Sequence, residues 1–549
     1  MTTSTTAVST ESKAAKSIIP LFIGLMITML LASLNNTVLA SALPTIVGEL
    51  HGVEHLTWVV TAYILASTIT MPIYGKLSDL LGRKPLLIAA ILIFIGGSVV
   101  GGLATDMTSL IAARAIQGLG GGGLIILAQA AIADVVPARE RGKYMGIMGG
   151  VFAFSSVAGP LLGGWLTEGP GWRWSFWINL PLGALALLAT ILFLHLPKRE
   201  LSSRPRLDYL GMALMTIATS ALVLVGTWGG SQFEWMSPQI IGLGITAILA
   251  AALFVFVESK ASQPIIPLAL FKDRNFTLTT IAGLVMSIPM FGVIGYMPTY
   301  LQMAGGVTAT EAGLLMIPMM GGLLLTSVLT GQIISKTGRY KIIPIIGAVI
   351  LAAGLVLLAT VHGASSMILI CIYLGVIGIG LGASLQILTL IAQNSFPVAM
   401  VGTATASSNY FRQVGATLGS AVVGSVFSMR LLDLIASKLP EGTGAGDGTS
   451  SLTPAIVAGL PDAVRVPIIE AYNEALIPLF LWMAPLAIIS AIILCFVVEK
   501  PLATQVEREI PSQAVGEGQV APMDLVDDQV EAVDLVGEVD EPVGAAPGR

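Results

Sequence analysis

The sequence predicts an all-α integral membrane protein of fourteen transmembrane helices, and three observations carry that prediction. Hydrophobic residues make up 55% of the 549 and charged residues only 11%, against roughly 25% charged in a soluble domain. Mean hydropathy is +0.87. Apolar runs of about 20 residues, enough to cross the hydrocarbon core, recur along the chain, and Lys and Arg fall mainly in alternate connections. A soluble globular enzyme is excluded on composition. So is a nucleic-acid binder, which needs a basic face.

Taken in order, the predicted spans are 18–41, 57–77, 85–105, 109–134, 143–167, 174–196, 208–229, 238–258, 276–300, 311–334, 341–361, 366–392, 404–430 and 476–498. The first is too long, and too closely followed by another, to be a cleaved signal peptide. With the N-terminus inside, the inner connections hold 21 Lys or Arg and the outer ones four. That imbalance puts both termini in the cytoplasm. The net charge of −5 belongs to a tail: from Glu499 onward there are twelve Asp or Glu and three Lys or Arg. Low in aromatics and rich in acids, 499–549 reads as a disordered cytoplasmic tail, and 1–17 as a short cytoplasmic N-terminal tail. The run Gly442–Ser451 reads as part of a flexible extracytoplasmic loop near 431–475.

Two connections resemble each other. Gly75-Lys76-Leu77-Ser78-Asp79-Leu80-Leu81-Gly82-Arg83-Lys84 follows the second span, and Gly331-Gln332-Ile333-Ile334-Ser335-Lys336-Thr337-Gly338-Arg339-Tyr340 follows the tenth. If spans seven and eight (197–275 with their cytoplasmic linkers) are an insertion, the two matches occupy equivalent places in two six-helix bundles, 18–196 and 276–498. Repeated halves are a common architecture of secondary transporters.

Particular residues suggest chemistry. Gly75 and Gly82 suit a tight loop between packed helix ends. Asp79 can cap a neighbouring helix and pair with a cation, and Arg83 and Lys84 hold the loop inside. Arg114 lies within the fourth span, where a cation costs at least ~2.5–3.5 kcal/mol unless it meets a partner, water or an interface; Gln117, one turn on, can help satisfy it. In the fifth span Pro160 removes a backbone hydrogen bond, and Gly159, Gly163 and Gly164 make a smooth face for close helix approach. Trp172-Arg173-Trp174-Ser175-Phe176-Trp177 reads as an interfacial aromatic belt. Arg412 is a second intramembrane arginine.

These residues carry a family resemblance. Gly75–Lys84 resembles the cytoplasmic signature of the major facilitator superfamily, and Leu110–Gly121 its fourth-span motif. Ser155–Gly164 resembles its antiporter motif, with Ser155 where a glycine is usual. Trp172–Pro181, Leu207–Gly211 and Phe411–Gly419 are similar to segments of the fourteen-span drug:proton antiporters, the quaternary-ammonium and multidrug exporters. The resemblance covers roughly 18–500. It implies a major facilitator fold, two six-helix halves plus two extra central helices. It also implies a gating role for Gly75, Asp79, Gly82, Arg83 and Lys84, and proton coupling through Arg114 and Gln117.

One position departs from that pattern: Asn35 stands where the family has an aspartate that is a strong candidate for proton binding, and an amide cannot ionise. Either another acid carries the proton, or coupling is weak, or the substitution is an unusual one. No carboxylate falls well inside a span, which weakens the case for dicationic substrates. The substrate cavity is expected between the halves, with Asn35, Asn36, Trp58, Tyr63, Gln129, Tyr296, Gln386, Asn409 and Arg412 as contributors. Methionines of the ninth and tenth spans (Met286, Met290, Met297, Met316, Met319, Met320) are either core or part of a promiscuous apolar surface.

The expected function is export of lipophilic or amphipathic drugs across the plasma membrane by proton antiport with alternating access. A specific exporter of an antibiotic, metabolite or envelope lipid, or a weakly coupled carrier, is the alternative. A non-transporting scaffold acting through the acidic tail is argued against by the repeat. No catalytic cluster and no phosphate-binding Gly-X4-Gly-Lys-Ser/Thr loop is present. No cofactor or metal is expected. The expected partners are small amphipathic substrates, protons and membrane lipids, with no nucleic acid, around a monomer.

Overall fold

The computed structural model describes residues 5–50, 55–194, 207–230, 232–362, 365–438, 457 and 460–504, all within one unit spanning 1–506. The expectations for the Gly442–Ser451 run and for the acidic tail beyond 504 lie outside the described residues, as does the linker 195–206.

The first half is α1 (Thr5–Leu50), α2 (Leu56–Leu81), α3 (Arg83–Gly102), α4 (Met107–Val135), α5 (Ala138–Glu168), α6 (Trp174–Trp177) and α7 (Asn179–Phe193). An inserted pair follows, α8 (Tyr209–Trp228) and α9 (Pro238–Glu258). The second half is α10 (Arg274–Gly305), α11 (Ala309–Leu315), α12 (Ile317–Thr337), α13 (Ile342–Leu358), α14 (Met367–Gly382), α15 (Leu385–Asn394), α16 (Val401–Lys438) and α17 (Asp462–Cys495). Several starts are written in side chains. Asp106 and Ser109 form a capping box on α4, Thr308 and Glu311 another on α11. Asp208, Ser237 and Asp273 cap α8, α9 and α10. Each satisfies orphan N–H groups of a first turn.

Thirteen helical segments among the described residues are long and apolar enough to cross a membrane. The shorter apolar helix α13, with 17 residues about 25 Å long, takes the place of the eleventh predicted span. Three predicted spans are interrupted helices. The sixth is α6 and α7, joined through Ile178, which keeps helical backbone angles. The tenth breaks at Met316, ahead of Pro318 in the first turn of α12, where proline is tolerated. The twelfth breaks at Ser384, whose hydroxyl bonds back to the Gly380 carbonyl at 2.9 Å.

The predicted loop near 431–475 is shorter than expected. α16 runs on to Lys438 and α17 begins at Asp462. Lys438 joins the two ends, 2.7 Å from Glu474 and 3.6 Å from Glu470, and Leu431, Ile435, Ile468 and Tyr472 are buried there. Neither charge pairing nor burial between segments forty residues apart shows in a span count.

Glycine decides how closely the helices approach. In α4, a Cβ on Gly118 would meet the Tyr63 backbone of α2 at 2.6 Å, and one on Gly120 would meet Phe94 of α3 at 2.7 Å. The two halves then meet at the end that carries the Gly75–Lys84 loop, here called the latch end. A Cβ on Gly75 would collide with Ala406 of α16, and one on Gly331 with the Gly142 carbonyl of α5. These are the opening glycines of the two repeated segments, so the repeat marks two equivalent crossings between the halves. At the opposite end of α5 the second half is more distant, with a Cβ on Gly313 at 3.9 Å from Pro160. The inserted α8 leans on α2 and α16, while α9 presents Ile241, Ile245, Ile248, Leu249, Leu253 and Phe256 outward, as a lipid-facing helix does.

Candidate functional site

The latch is built by α2, α3, α4 and α16. Gly82 turns the chain between α2 and α3 with φ +88°, a conformation that favours glycine. Asp79, in the last turn of α2, reaches across to the first turn of α16. Its Oδ1 accepts from Gly402 N–H at 3.1 Å and its Oδ2 from Thr403 N–H and Oγ1 at 2.6 and 2.7 Å. An anion at a helix N-terminus is favoured by both the free N–H groups and the helix dipole. Arg83, only 2% exposed, lies 3.4 Å from Asp79 and 2.7 Å from Asp134. It also donates to the carbonyls of Val398 and Ala130. Lys84 donates to the Ile191 carbonyl at 2.8 Å. All five residues expected in the loop are therefore in or beside it.

Three contributors to this end escaped the sequence reading. Asp134 sits in the last turn of α4, where the helix dipole disfavours an acid; that placement is itself a signal that a cation is near. Arg141 ties α5 to the end of α4 by donating to the carbonyls of Val136 and Ala133 at 2.9 and 2.7 Å. Arg139 donates to Ser335 and Lys336 carbonyls at 3.2 and 3.0 Å. The second repeat thus contacts the first half through backbone carbonyls, with Ser335 at the place of Asp79.

Deeper in the first half a network of neutral groups surrounds Arg114. The guanidinium is 1% exposed, which excludes snorkelling to an interface. Its Nε donates to Val59 O at 3.2 Å, Nη1 to Gln117 Oε1 at 2.9 Å and Nη2 to Asn36 Oδ1 at 2.8 Å, and it lies 4.3 Å over the Tyr63 ring. Gln117 in turn donates to Ser98 Oγ at 2.7 Å and Asn35 Oδ1 at 3.3 Å. Asn179, which the sequence placed only in the aromatic belt, donates to Asn35 Oδ1 at 3.0 Å. Position 35 therefore receives two donors, while the Asn35 Nδ2 is buried without a partner among the described residues. The surroundings suit an acceptor-only carboxylate; asparagine meets half of that demand.

On α5, a Cβ on Gly159 would collide with Thr37 and one on Gly163 with Ser41, both on α1. Thr37 Oγ1 closes this seam by donating to Ser155 O at 2.9 Å. Gly164 meets nothing within 4 Å, so its smallness has no structural account here. α5 stays helical through Pro160.

The remaining expected residues divide. Asn409 of α16 bridges the halves, donating to Gln129 Oε1 of α4 at 3.1 Å. Arg412, one turn along the same face, donates through Nη2 to Asn409 Oδ1. Gln386 lies at the seam between α5 and α12, beside Ser327, Thr330 and Gly331. Two residues stand apart. Trp58 packs edge-on against Trp228 of the inserted pair at 5.5 Å, and Tyr296 lies within the second half, its hydroxyl 3.3 Å from Ser420 O. All six methionines are buried in the core of the second half, so they are packing residues.

A helical bundle in two repeated halves, joined by a charged latch at one end and enclosing buried polar residues at membrane depth, defines a secondary transporter rather than an enzyme. Residues 25–420 match the Major Facilitator Superfamily, and the chain belongs to it. It is 38% identical over 431 residues to the multidrug transporter protein MdtP of Bacillus subtilis, covering 78% of this chain and 79% of that one. It is 32% identical to multidrug resistance protein 3 of the same organism, over 88% of this chain and 96% of that one. The crystal structure of the human organic anion transporter MFSD10 superposes with TM-score 0.59 over 86% of this chain and 99% of that one. At 14% identity that is a likeness of fold alone.

Proposed function

We propose that this multi-pass membrane protein is a monomeric exporter of lipophilic or amphipathic small molecules, acting by alternating access in the plasma membrane. The observation that carries the reading is the latch. Asp79, Arg83 and Asp134 tie the two halves together at one end, while Asn36 is exposed on the other side of the Arg114 network. Charged contacts that tie the halves at one end are what a closed gate of an alternating-access cycle requires. The excess of Lys and Arg in the inner connections supports a cytoplasmic latch end and cytoplasmic termini. The names of the bacillary relatives support drug-like cargo.

The antiporter motif supports proton influx as the energy source, with Arg114 and Gln117 in the coupling network. A weakly coupled carrier is the second reading, favoured by a specific observation: Arg114 and position 35 meet no carboxylate among the described residues. Everted vesicles with an imposed proton gradient decide between them. Substrate-dependent proton release establishes antiport. Protein-dependent substrate flux without proton release establishes the uncoupled carrier. No protein-dependent flux with any amphipathic probe overturns the exporter reading.

A further inference from the structure

The polar interior of this bundle is lopsided in charge. Among the described residues Arg114 is hydrogen-bonded only to a carbonyl and two side-chain amides. Arg412 has a single hydrogen bond among the described residues, from Nη2 to Asn409, and Asn409 leads on to Gln129. No Asp or Glu among the described residues is ion-paired with either guanidinium. Arginine stays protonated in a protein interior, so neither charge can be shed. Amide oxygens solvate a guanidinium without neutralising it, and an uncompensated charge in a low-dielectric setting projects a field over several ångströms.

The place of the two charges matters as much as their sign. Arg412 lies on the face of α16 that Asn409 turns toward the first half, at the contact between the halves. The Arg412 side chain is half-buried there, and only its Nη2 makes a hydrogen bond among the described residues. A guanidinium that uses one of its donors among the described residues retains a fork that matches a carboxylate or phosphate. Arg114, nearer the opposite end, is buried but donates to Asn36, which is exposed.

The geometry points to an anionic substrate: an amphipathic molecule with one oxyanion group, held at the contact between the halves by Arg412 and drawn outward by the field of Arg114. This deepens the exporter reading and rests on it for transport, though not for binding. An organic cation of the same shape meets two like charges and no counter-charge, which disfavours it.

The test uses the full chain and two dansyl amphiphiles of equal length, one ending in a carboxylate and one in a trimethylammonium group. Binding is read by dansyl fluorescence in detergent micelles, and flux in everted vesicles. The carboxylate probe is expected to bind at least about tenfold more tightly than the cation. Arg412→Gln is expected to lose about tenfold in carboxylate affinity while binding of the cation holds or improves. Asn35→Asp, which keeps both arginines and adds an acid to the Arg114 network, is expected to narrow the preference by a similar factor. Elution of each variant as a monodisperse species shows that it is folded. The inference is overturned if the trimethylammonium probe binds as tightly as the carboxylate, if the carboxylate does not bind, or if neither substitution changes the ratio. Absence of flux for both probes, with the carboxylate preference intact in micelles, overturns the exporter reading and leaves the anion site standing.

Discussion

Arg83 and Arg114 are both all but inaccessible, both in the first half, and held in opposite ways. Arg83 lies between two carboxylates, whereas Arg114 lies among amides, a carbonyl and a ring. A cation paired with acids is satisfied internally, so its energy goes into holding elements together. A cation solvated by neutral dipoles is satisfied geometrically but keeps its charge. The first arrangement suits a latch and the second suits a place where charge is met from outside. The largest effects are therefore expected at the latch.

Asp79→Ala removes the cap of α16 and one counter-charge of Arg83 at once. Losing a helix cap costs about 1 kcal/mol and breaking a buried pair about 3–5 kcal/mol. If about 2 kcal/mol of this falls on the closed state alone, its population relative to the open state drops about thirtyfold. Export measured in vesicles should fall accordingly, and a cysteine at Met400, half-buried just ahead of α16, should become more reactive to a membrane-impermeant thiol reagent at the latch end. Unchanged reactivity would show that Asp79 does not hold the latch. Asp79→Asn, which keeps one acceptor, should lie between the variant and the native protein.

The second crossing between the halves gives a smaller and purely steric effect. Gly331→Val places a side chain against the Gly142 carbonyl, and overpacking of this kind costs typically about 1–3 kcal/mol. A loss of about tenfold in export with a normal elution profile is expected. Full activity would mean that α5 and α12 do not close on one another in the cycle.

The contrast between the two arginines was only half legible in the sequence. Composition and spacing gave the spans, and the Gly75–Lys84 and Ser155–Gly164 segments gave the class. The partnership of Arg114 with Gln117 followed from one helical turn. What could not be read were contacts between distant segments: Asp134 on Arg83, Asn179 on Asn35, Asp79 on α16. The contact of Trp58 with Trp228 on the inserted pair was hidden for the same reason. An aromatic near a span end looks alike in sequence whether it faces a cavity or another tryptophan. The span breaks at Met316 and Ser384 were invisible because hydropathy continues across them.

Lysine substitution sharpens the comparison more finely. Arg83→Lys keeps a cation between Asp79 and Asp134, where a point charge still pairs. Arg114→Lys removes a fork that spans Val59 O, Gln117 and Asn36, and one ammonium on a flexible stem does not reproduce that geometry. Arg114→Lys should therefore reduce export several-fold more than Arg83→Lys, measured on equal amounts of inserted protein. Equal losses would mean that both sites need only a positive charge.

The smallest effect belongs to a third kind of ion pair, at the periphery of the same end. Asp273 caps α10 and lies 2.7 Å from Lys500, whose side chain is 42% exposed. Partial burial pushes the Asp273 carboxyl up, but the Lys500 ammonium and the Phe276 N–H outweigh it and hold the carboxyl below its ordinary value. Folding therefore favours the ionised form. The stabilisation is present above the unfolded-state value of about 3.9 and is lost as pH falls through the lower folded value. Solvent screening at Lys500 limits it to at most about 1 kcal/mol. Melting of the native protein and Asp273→Asn should differ by a degree or two near neutral pH, with the gap closing below about pH 4. A gap that persists in acid would locate the contribution in the capping geometry instead of the charge. The ranking then separates three environments for one kind of contact: buried and balanced at Arg83, buried and unbalanced at Arg114, screened at Lys500.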